Sequence, residues 1–191
     1  RWNLRLFATN FIPDVRKFKL DPWQERGIRT SITRLYMGNS LSQLHLLEVS
    51  EGTYVTAHRH GAGAHVVLIE GGGYELLFKQ GDELNPKKRQ KVYIKPYGVV
   101  APHTNEYHQH FNTGKGPLRQ LAFRGWVRKP PSMNAKGEYD PVGAARSDSA
   151  LGYSSKIRYD EEDPKIREEY YQELEKNGIS IRLDPVDQGG A

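Results

Sequence analysis

Short runs of alternating or strongly apolar residues, each closed by turn residues, dominate the chain between positions 31 and 127. Runs of this length, at this spacing, are typical of an all-β sandwich or barrel. No helical crossover pattern lies between them, which argues against a parallel α/β sheet. The predicted strands are 31–37, 44–49, 53–60, 65–69, 74–78, 91–95, 107–112 and 118–127.

Composition narrows the class of protein. The 191 residues include no cysteine, which excludes thiolate metal ligands, thiol nucleophiles and disulfides. No apolar run approaches the about 18 residues of a membrane span, so we expect a soluble, cytoplasmic protein without a membrane partner. The net charge of +5 includes a basic cluster at 87–91. That cluster lacks interleaved aromatic residues or a nucleic-acid motif, so we interpret it as a solvated loop and expect no nucleic-acid partner.

The chain is interpreted as one domain, residues 1–191, in three parts. Residues 1–39 form an N-terminal arm rich in aromatic side chains, 40–127 the barrel core, and 128–191 an irregular segment with one helix at about 163–177. Asp163 is placed to cap that helix, Pro164 suits its first turn and Gly178 its end. Residues 131–162 carry no readable motif, and either a lid over the barrel mouth or an inert connection fits them.

Histidines form the most informative cluster. Of seven, six lie between His58 and His110. His58 and His60 are two apart on a predicted strand, so both side chains face one side, and His108 and His110 form a second such pair. Neutral imidazole is the commonest protein ligand for zinc, iron, copper and nickel. Two same-face pairs on separate strands therefore predict a metal site.

The spacing of this cluster resembles the first motif of the cupin family. That motif places a glycine six positions before a His-x-His pair, then an acidic residue and a closing glycine. Gly52, His58, His60, position 65 and Gly72 reproduce each interval, with His65 standing where the family has glutamate.

The second cupin motif ends in a histidine and, four positions later, an asparagine, matched by His108 and Asn112. Its upstream proline and glycine are matched poorly, since Pro102 is one residue too far from His108. Together the two motifs cover roughly residues 40 to 127.

The resemblance implies a double-stranded β-helix, or jelly-roll, barrel that holds one divalent metal ion per chain. The family's ligands carry over to His58, His60 and His108, and His65 takes the place of the glutamate. Iron(II) is the metal that we expect, with zinc, nickel, manganese or copper as alternatives. The residues predicted to orient ligands or line the substrate pocket are His110, His103, Tyr54, Thr56 and Asn112.

Two arginines of the last predicted strand, Arg119 and Arg124, have opposite parity, so we expect one of them to face inward and to pair with an anion. The sequence does not identify a catalytic base.

An all-histidine ligand set leaves the full charge of a divalent ion uncancelled, which favours an anionic substrate. Histidine-rich cupins include iron-dependent dioxygenases, so the leading hypothesis is an iron(II) dioxygenase acting on a small oxygenated or aromatic compound. A non-redox isomerase, lyase or cyclase and a non-enzymatic ligand-binding barrel are the alternatives. Cupins often exchange N-terminal arms, so we expect a homodimer, against the alternative that the arm folds over its own barrel.

Overall fold

The structure is a computed structural model that describes residues 6–23, 27–38, 43–59, 64–124 and 156–183. Ten strands, one 3-10 helix (Pro86–Lys88) and one α-helix lie in these parts of the chain. They are β1 (Leu6–Thr9), β2 (Asp21–Pro22), β3 (Thr30–Met37), β4 (Gln43–Val49), β5 (His65–Glu70), β6 (Gly73–Phe78), β7 (Gln90–Ile94), β8 (Val99–Val100), β9 (Tyr107–Asn112), β10 (Leu118–Arg124) and α1 (Pro164–Lys176).

The strands form two sheets. The larger sheet has the order β1-β3-β4-β10-β5-β8, with β2 also paired to β3, and the smaller sheet has the order β7-β6-β9. Every pairing is antiparallel except that of β1 with β3. Strands far apart in the chain, such as β4 and β10, are neighbours in space, as a jelly roll requires. The predicted all-β jelly-roll class with a C-terminal helix is confirmed.

Cross-strand rows of the larger sheet build the core. Residues directly opposite one another on antiparallel strands share a face. Leu47 of β4 lies opposite Ile32 of β3 and Gln120 of β10, and Gln120 lies opposite Leu68 of β5. All four are buried. The main apolar cluster consists of Ile32, Leu47, Val49, Val55, Leu68, Leu77, Ile94, Val100 and Leu118.

The strand predicted at 53–60 is the main departure from the sequence pattern. In the described part of this segment only two residues bridge to β9: Tyr54 lies opposite Phe111, and His58 lies opposite His108. The four-residue interval from Tyr54 to His58 therefore pairs with the three-residue interval from His108 to Phe111 on β9. An extra residue of this kind is a β-bulge, and it reverses which side chains face inward.

Helix α1 begins and ends where the sequence predicts. The Asp163 side chain caps it by accepting a hydrogen bond from the backbone N–H of Lys165, and Gly178 beyond its end has a φ of +64°. The apolar stripe of Ile166, Tyr170 and Leu174 is buried. This stripe packs on the outer side of the smaller sheet, with Tyr74, Leu76 and Phe111.

The chain after α1 returns to the start of the first histidine motif. The N–H of Arg182 donates to the carbonyl of Gly52 at 3.0 Å. Gly52 has a φ of +71°, and a Cβ there would collide with the backbone oxygen of Ser180. Glycine is therefore required at this position for both conformation and space.

The N-terminal arm lies on its own barrel. Strand β1 pairs with β3, and the ring of Phe7 packs edge-on against Phe18 with centroids 5.0 Å apart. The backbone oxygen of Phe18 accepts a hydrogen bond from the buried side chain of Arg119. One chain does not test the homodimer, which stays a prediction.

Residues 131–162 were interpreted as either a lid over the barrel mouth or an inert connection. Most of this segment, 131–155, lies outside the described residues. No helix in the described ranges is long and apolar enough to cross a membrane.

Candidate metal centre

A small cavity lies between the two sheets. On one side it is walled by the larger sheet and on the other by the segment around His58 and by β9. Its volume is about 10 Å³, room for a single ion or water molecule. The lining residues are His45, Leu47, His58, Ala64, Val66, His108, His110, Gln120 and Ala122.

His58 and His108 face each other across a backbone bridge. The N–H of His58 donates to the carbonyl of His108 at 3.0 Å, and the N–H of His108 donates back at 2.9 Å. Because directly opposite residues share a face, the bridge places the two imidazoles side by side. Their ring centroids are 4.0 Å apart, and both residues are buried.

His110 completes the group. It lies two residues beyond His108 on β9, so its side chain returns to the same face. Its ring centroid is 5.7 Å from that of His58 and 5.6 Å from that of His108. One ring nitrogen from each of the three histidines can be chosen so that all three lie within 4.8 Å of one another. The three buried imidazoles can therefore converge on one divalent ion.

Nδ1 of each of these three histidines lies close to an oxygen acceptor. Nδ1 of His58 lies 3.4 Å from the carbonyl oxygen of Thr56, and Nδ1 of His108 lies 3.2 Å from that of Glu106. Nδ1 of His110 lies 2.5 Å from Oε2 of Glu75. With Nδ1 protonated toward these acceptors, each ring keeps the lone pair of Nε2 for a metal. The donor set fits a divalent metal.

Comparison with protein-family models gave no match, and comparison with curated proteins gave none either. Among solved structures, a predicted oxalate decarboxylase from Thermotoga maritima is 15% identical, over 61% of this chain and 100% of that chain, with a TM-score of 0.46. A cupin-like protein from the same organism is 16% identical, over 60% and 84%, with a TM-score of 0.44. A cupin-2 domain from Rhodospirillum rubrum is 21% identical, over 64% and 75%, with a TM-score of 0.42.

One histidine from each motif reaches the cavity, where the bridge between His58 and His108 joins the first motif to the second inside a jelly roll. The chain has the cupin fold. Inside this barrel, the three-histidine group has the geometry to hold one metal ion.

Glu75 lies beside the three-histidine group, and no prediction was made for it from the sequence. It lies directly opposite His110 in the pairing of β6 with β9, and its side chain is 1% exposed. Oε1 accepts a hydrogen bond of 2.6 Å from Nε2 of Gln120. Oε2 lies 2.5 Å from Nδ1 of His110, so this carboxylate is the acceptor beside that ring nitrogen. In the sequence, Glu75 is the one acidic residue within the apolar run 74–78, and this pattern could have indicated a buried functional carboxylate.

His45 is the second residue that was missed. It lies on β4 opposite Ala122, on the face that lines the cavity. In the sequence it lies outside the histidine cluster at 58–110. Its spacing of two and four residues from the apolar Leu47 and Val49 was the sign that its side chain faces inward. Strand β4 therefore adds a fourth imidazole to the cavity wall of the cupin barrel.

The prediction of His65 as a ligand disagrees with the structure. His65 begins β5 with an exposed side chain, and the alternation of that strand turns Val66 and Leu68 inward instead. It is also absent from the three-histidine group, where His110, predicted only to line the pocket, takes part. His60, the other predicted ligand, lies outside the described residues.

Two predicted pocket residues lie elsewhere in the cupin barrel. His103 is exposed in the turn before β9, where its N–H donates to Oε2 of Glu106. Asn112 is buried, but its Nδ2 donates to the carbonyls of Val49 and Gly116, both at 2.9 Å. Asn112 thus stabilises the connection between β9 and β10 and not the cavity.

Tyr54 was predicted to line the cavity, and the β-bulge explains why it does not. Paired opposite Phe111, it faces the outer side, where its ring stacks on Phe111 at 4.9 Å and packs against Tyr170. Thr56 is buried and is not among the lining residues. Its carbonyl oxygen lies 3.4 Å from Nδ1 of His58.

A buried polar cluster on the helix side of the smaller sheet connects Tyr54 to β9. The hydroxyl of Tyr54 donates to Glu162, whose other oxygen accepts from Nε2 of Gln109 at 3.1 Å. Arg167 lies 3.6 Å from the Glu162 carboxylate. Burial raises the pKa of Glu162, although these neighbours oppose the shift. Burial, reinforced by the adjacent Glu162 carboxylate, also raises the pKa of Tyr54.

Proposed function

We propose that this cupin is a metal-dependent enzyme, an iron(II) dioxygenase that acts on a small oxygenated or aromatic anion. The observation that carries the proposal is the convergence of His58, His108 and His110, whose ring nitrogens approach within 4.8 Å inside the cavity. His60, two residues from His58 in the same motif, is proposed as a further ligand.

The donor set supports catalysis more than a structural role. Three neutral imidazoles fill only part of the coordination sphere of a divalent ion, and open positions are the mark of a catalytic site. Neutral ligands also leave the whole dipositive charge in place. An anionic chelating compound such as an enolate, catecholate or carboxylate would therefore bind strongly there.

The surrounding residues prepare the site in three ways. Glu75 holds a proton at Nδ1 of His110, and Gln120 fixes the Glu75 carboxylate. Leu47 and Ala122 are apolar and buried, so they exclude water from the cavity. Bound iron(II) would supply one-electron chemistry with dioxygen, and the substrate itself would supply the electrons, because no nicotinamide or flavin motif is visible in the sequence.

A second candidate is non-redox catalysis, such as isomerisation or lyase chemistry, with zinc, nickel or manganese as Lewis acid. His45 favours it, since an imidazole on the cavity wall outside the three-histidine group can take up and return a proton.

Metal analysis tests the proposal. Protein purified without chelator and without oxygen is compared with His58→Ala and with His65→Ala, whose side chain is exposed. Near-stoichiometric iron in the wild type and in His65→Ala, lost in His58→Ala, supports the dioxygenase and directs oxygen-uptake assays with catechols and enols. Zinc, nickel or manganese in the same pattern favours the second candidate. Equal metal content in wild type and His58→Ala would contradict the site.

A further inference from the structure

We propose that Arg34, which lies opposite the cavity-lining His45 on the neighbouring strand, binds the negatively charged group of the substrate. This inference rests on the proposed function, because it concerns the same cavity, and it identifies the substrate class as a small carboxylate or comparable anion. The sequence predicts that either Arg119 or Arg124 of β10 faces inward; Arg119 lies on the other face, and the side chain of Arg124 lies outside the described part of the chain.

Strand register places Arg34 on the inner face. Arg34 lies directly opposite His45, which lies opposite Ala122, which lies opposite Val66. The last three line the cavity. Because directly opposite residues point to the same face of a sheet, Arg34 continues this row on the inner face, one strand beyond the residues that line the cavity.

The charge of Arg34 is uncompensated in the described parts of the chain. Its side chain is half-buried, and no acidic side chain of those parts forms an ion pair with it. Arg119 shows the contrast: it lies on the other face of β10, where it is buried and binds Glu48 at 2.8 Å. A partly buried guanidinium without a carboxylate is suited to bidentate binding of an anion from solution.

The dimensions agree with a small ligand. Neighbouring strands lie about 4.8 Å apart, so the backbones of Arg34 and Ala122, two strand spacings apart, are separated by about 10 Å. The long side chain of Arg34 can cover part of this separation. A compound that binds the ion through one end would then present a carboxylate to Arg34 with its other end. The cavity of about 10 Å³ accommodates only the ion, so the bound anion would lie beside the cavity, toward Arg34.

The test measures binding of acetate and of acetamide, its neutral isostere, at constant ionic strength. The proteins are wild type, Arg34→Gln, Arg34→Lys, and the matched control Arg16→Gln, which removes the same charge from an exposed side chain of the arm. Each is titrated both loaded with cobalt(II), followed by its visible absorption, and metal-free, followed by calorimetry. Cobalt uptake reports the metal site independently of the anion.

We expect Arg34→Gln to weaken acetate binding about ten- to hundredfold, the range of a charge-assisted hydrogen bond, with Arg16→Gln unchanged. Arg34→Lys should fall between them, because it keeps the charge but loses the bidentate geometry. Acetamide binding should not change. Equal acetate affinity in wild type and Arg34→Gln would overturn the proposal. If wild type takes up no cobalt, the proposed function fails, and the metal-free titration still decides the role of Arg34.

Discussion

Glu75 and His110 lie directly opposite each other on β6 and β9, with Oε2 of the glutamate 2.5 Å from Nδ1 of the histidine. Both side chains are buried, and Gln120 holds the second carboxylate oxygen at 2.6 Å. This contact directs the other nitrogen of His110 to the cavity. Backbone carbonyls perform the same task for His58 and His108. Ring orientation is therefore set before any ion binds.

Glu75→Gln is expected to weaken metal binding by about 10- to 100-fold, the usual cost of losing the acceptor behind a metal-binding histidine. The measurement is competition with a chromophoric chelator for zinc or cobalt(II). Glu70→Gln, which makes the same change at an exposed position of β5, is the control. If both variants bind metal like the wild type, Glu75 does not position His110.

His110→Ala should strongly reduce the bound metal, because it removes one of the three described imidazoles that converge on the ion. His65→Ala and His103→Ala should retain it, since both side chains are exposed. Metal content by elemental analysis after gel filtration is the readout. A loss of metal in His65→Ala with retention in His110→Ala would reinstate the ligand set predicted from the sequence.

Glu162 should make stability depend on pH in a defined direction. Its pKa is raised above the ordinary 4.5 by burial, so the folded protein holds this proton more tightly than the unfolded chain. The stability that it contributes is therefore full below the ordinary pKa and is lost as the pH rises through the folded pKa.

Glu162→Gln removes this titration. The unfolding free energy of wild type minus that of the variant should fall as the pH rises above 4.5. Urea unfolding at a series of pH values measures it, with Glu168→Gln on the exposed side of α1 as the control. A difference that increases with pH would show that the charged, hydrogen-bonded form is the stabilising one.

Tyr170→Phe should destabilise the protein by about 1–3 kcal/mol, because a buried hydroxyl is removed from two buried carbonyls. That hydroxyl lies 2.9 Å from the carbonyl of Thr53 and 2.8 Å from that of Asn112. Chemical denaturation measures the change. Tyr171→Phe, one residue along the same helix and only half-buried, should change stability by much less. Equal effects would mean that α1 is held by apolar packing alone.

The predicted homodimer can be tested through the arm. Phe7 and Phe11 are 47% and 66% exposed, unusually so for phenylalanine. We expect light scattering to give twice the mass of one chain at micromolar concentration. Replacing both residues with serine should reduce it to the mass of one chain. A wild-type mass of one chain would contradict the dimer.

Much of the fold was accessible from local patterns. Strand β9 has the predicted bounds, Tyr107–Asn112, and α1 begins at the predicted Asp163 cap. Alternation and capping depend on residues a few positions apart, so the sequence displays them directly. The ligand assignment failed at His65 because a family spacing was carried over, whereas the alternation of β5 exposes that side chain.

Sequence by itself determined that this chain forms short antiparallel strands and that paired histidines lie on two of its segments, because both depend on spacing along the chain. Only the tertiary structure decided which side chains meet. The bulge between Tyr54 and His58 turns the first outward and the second inward. Pairing of strands distant in the chain then brings Glu75 to His110, and His45 to the cavity. Such contacts follow from non-local register, which one strand's pattern does not encode.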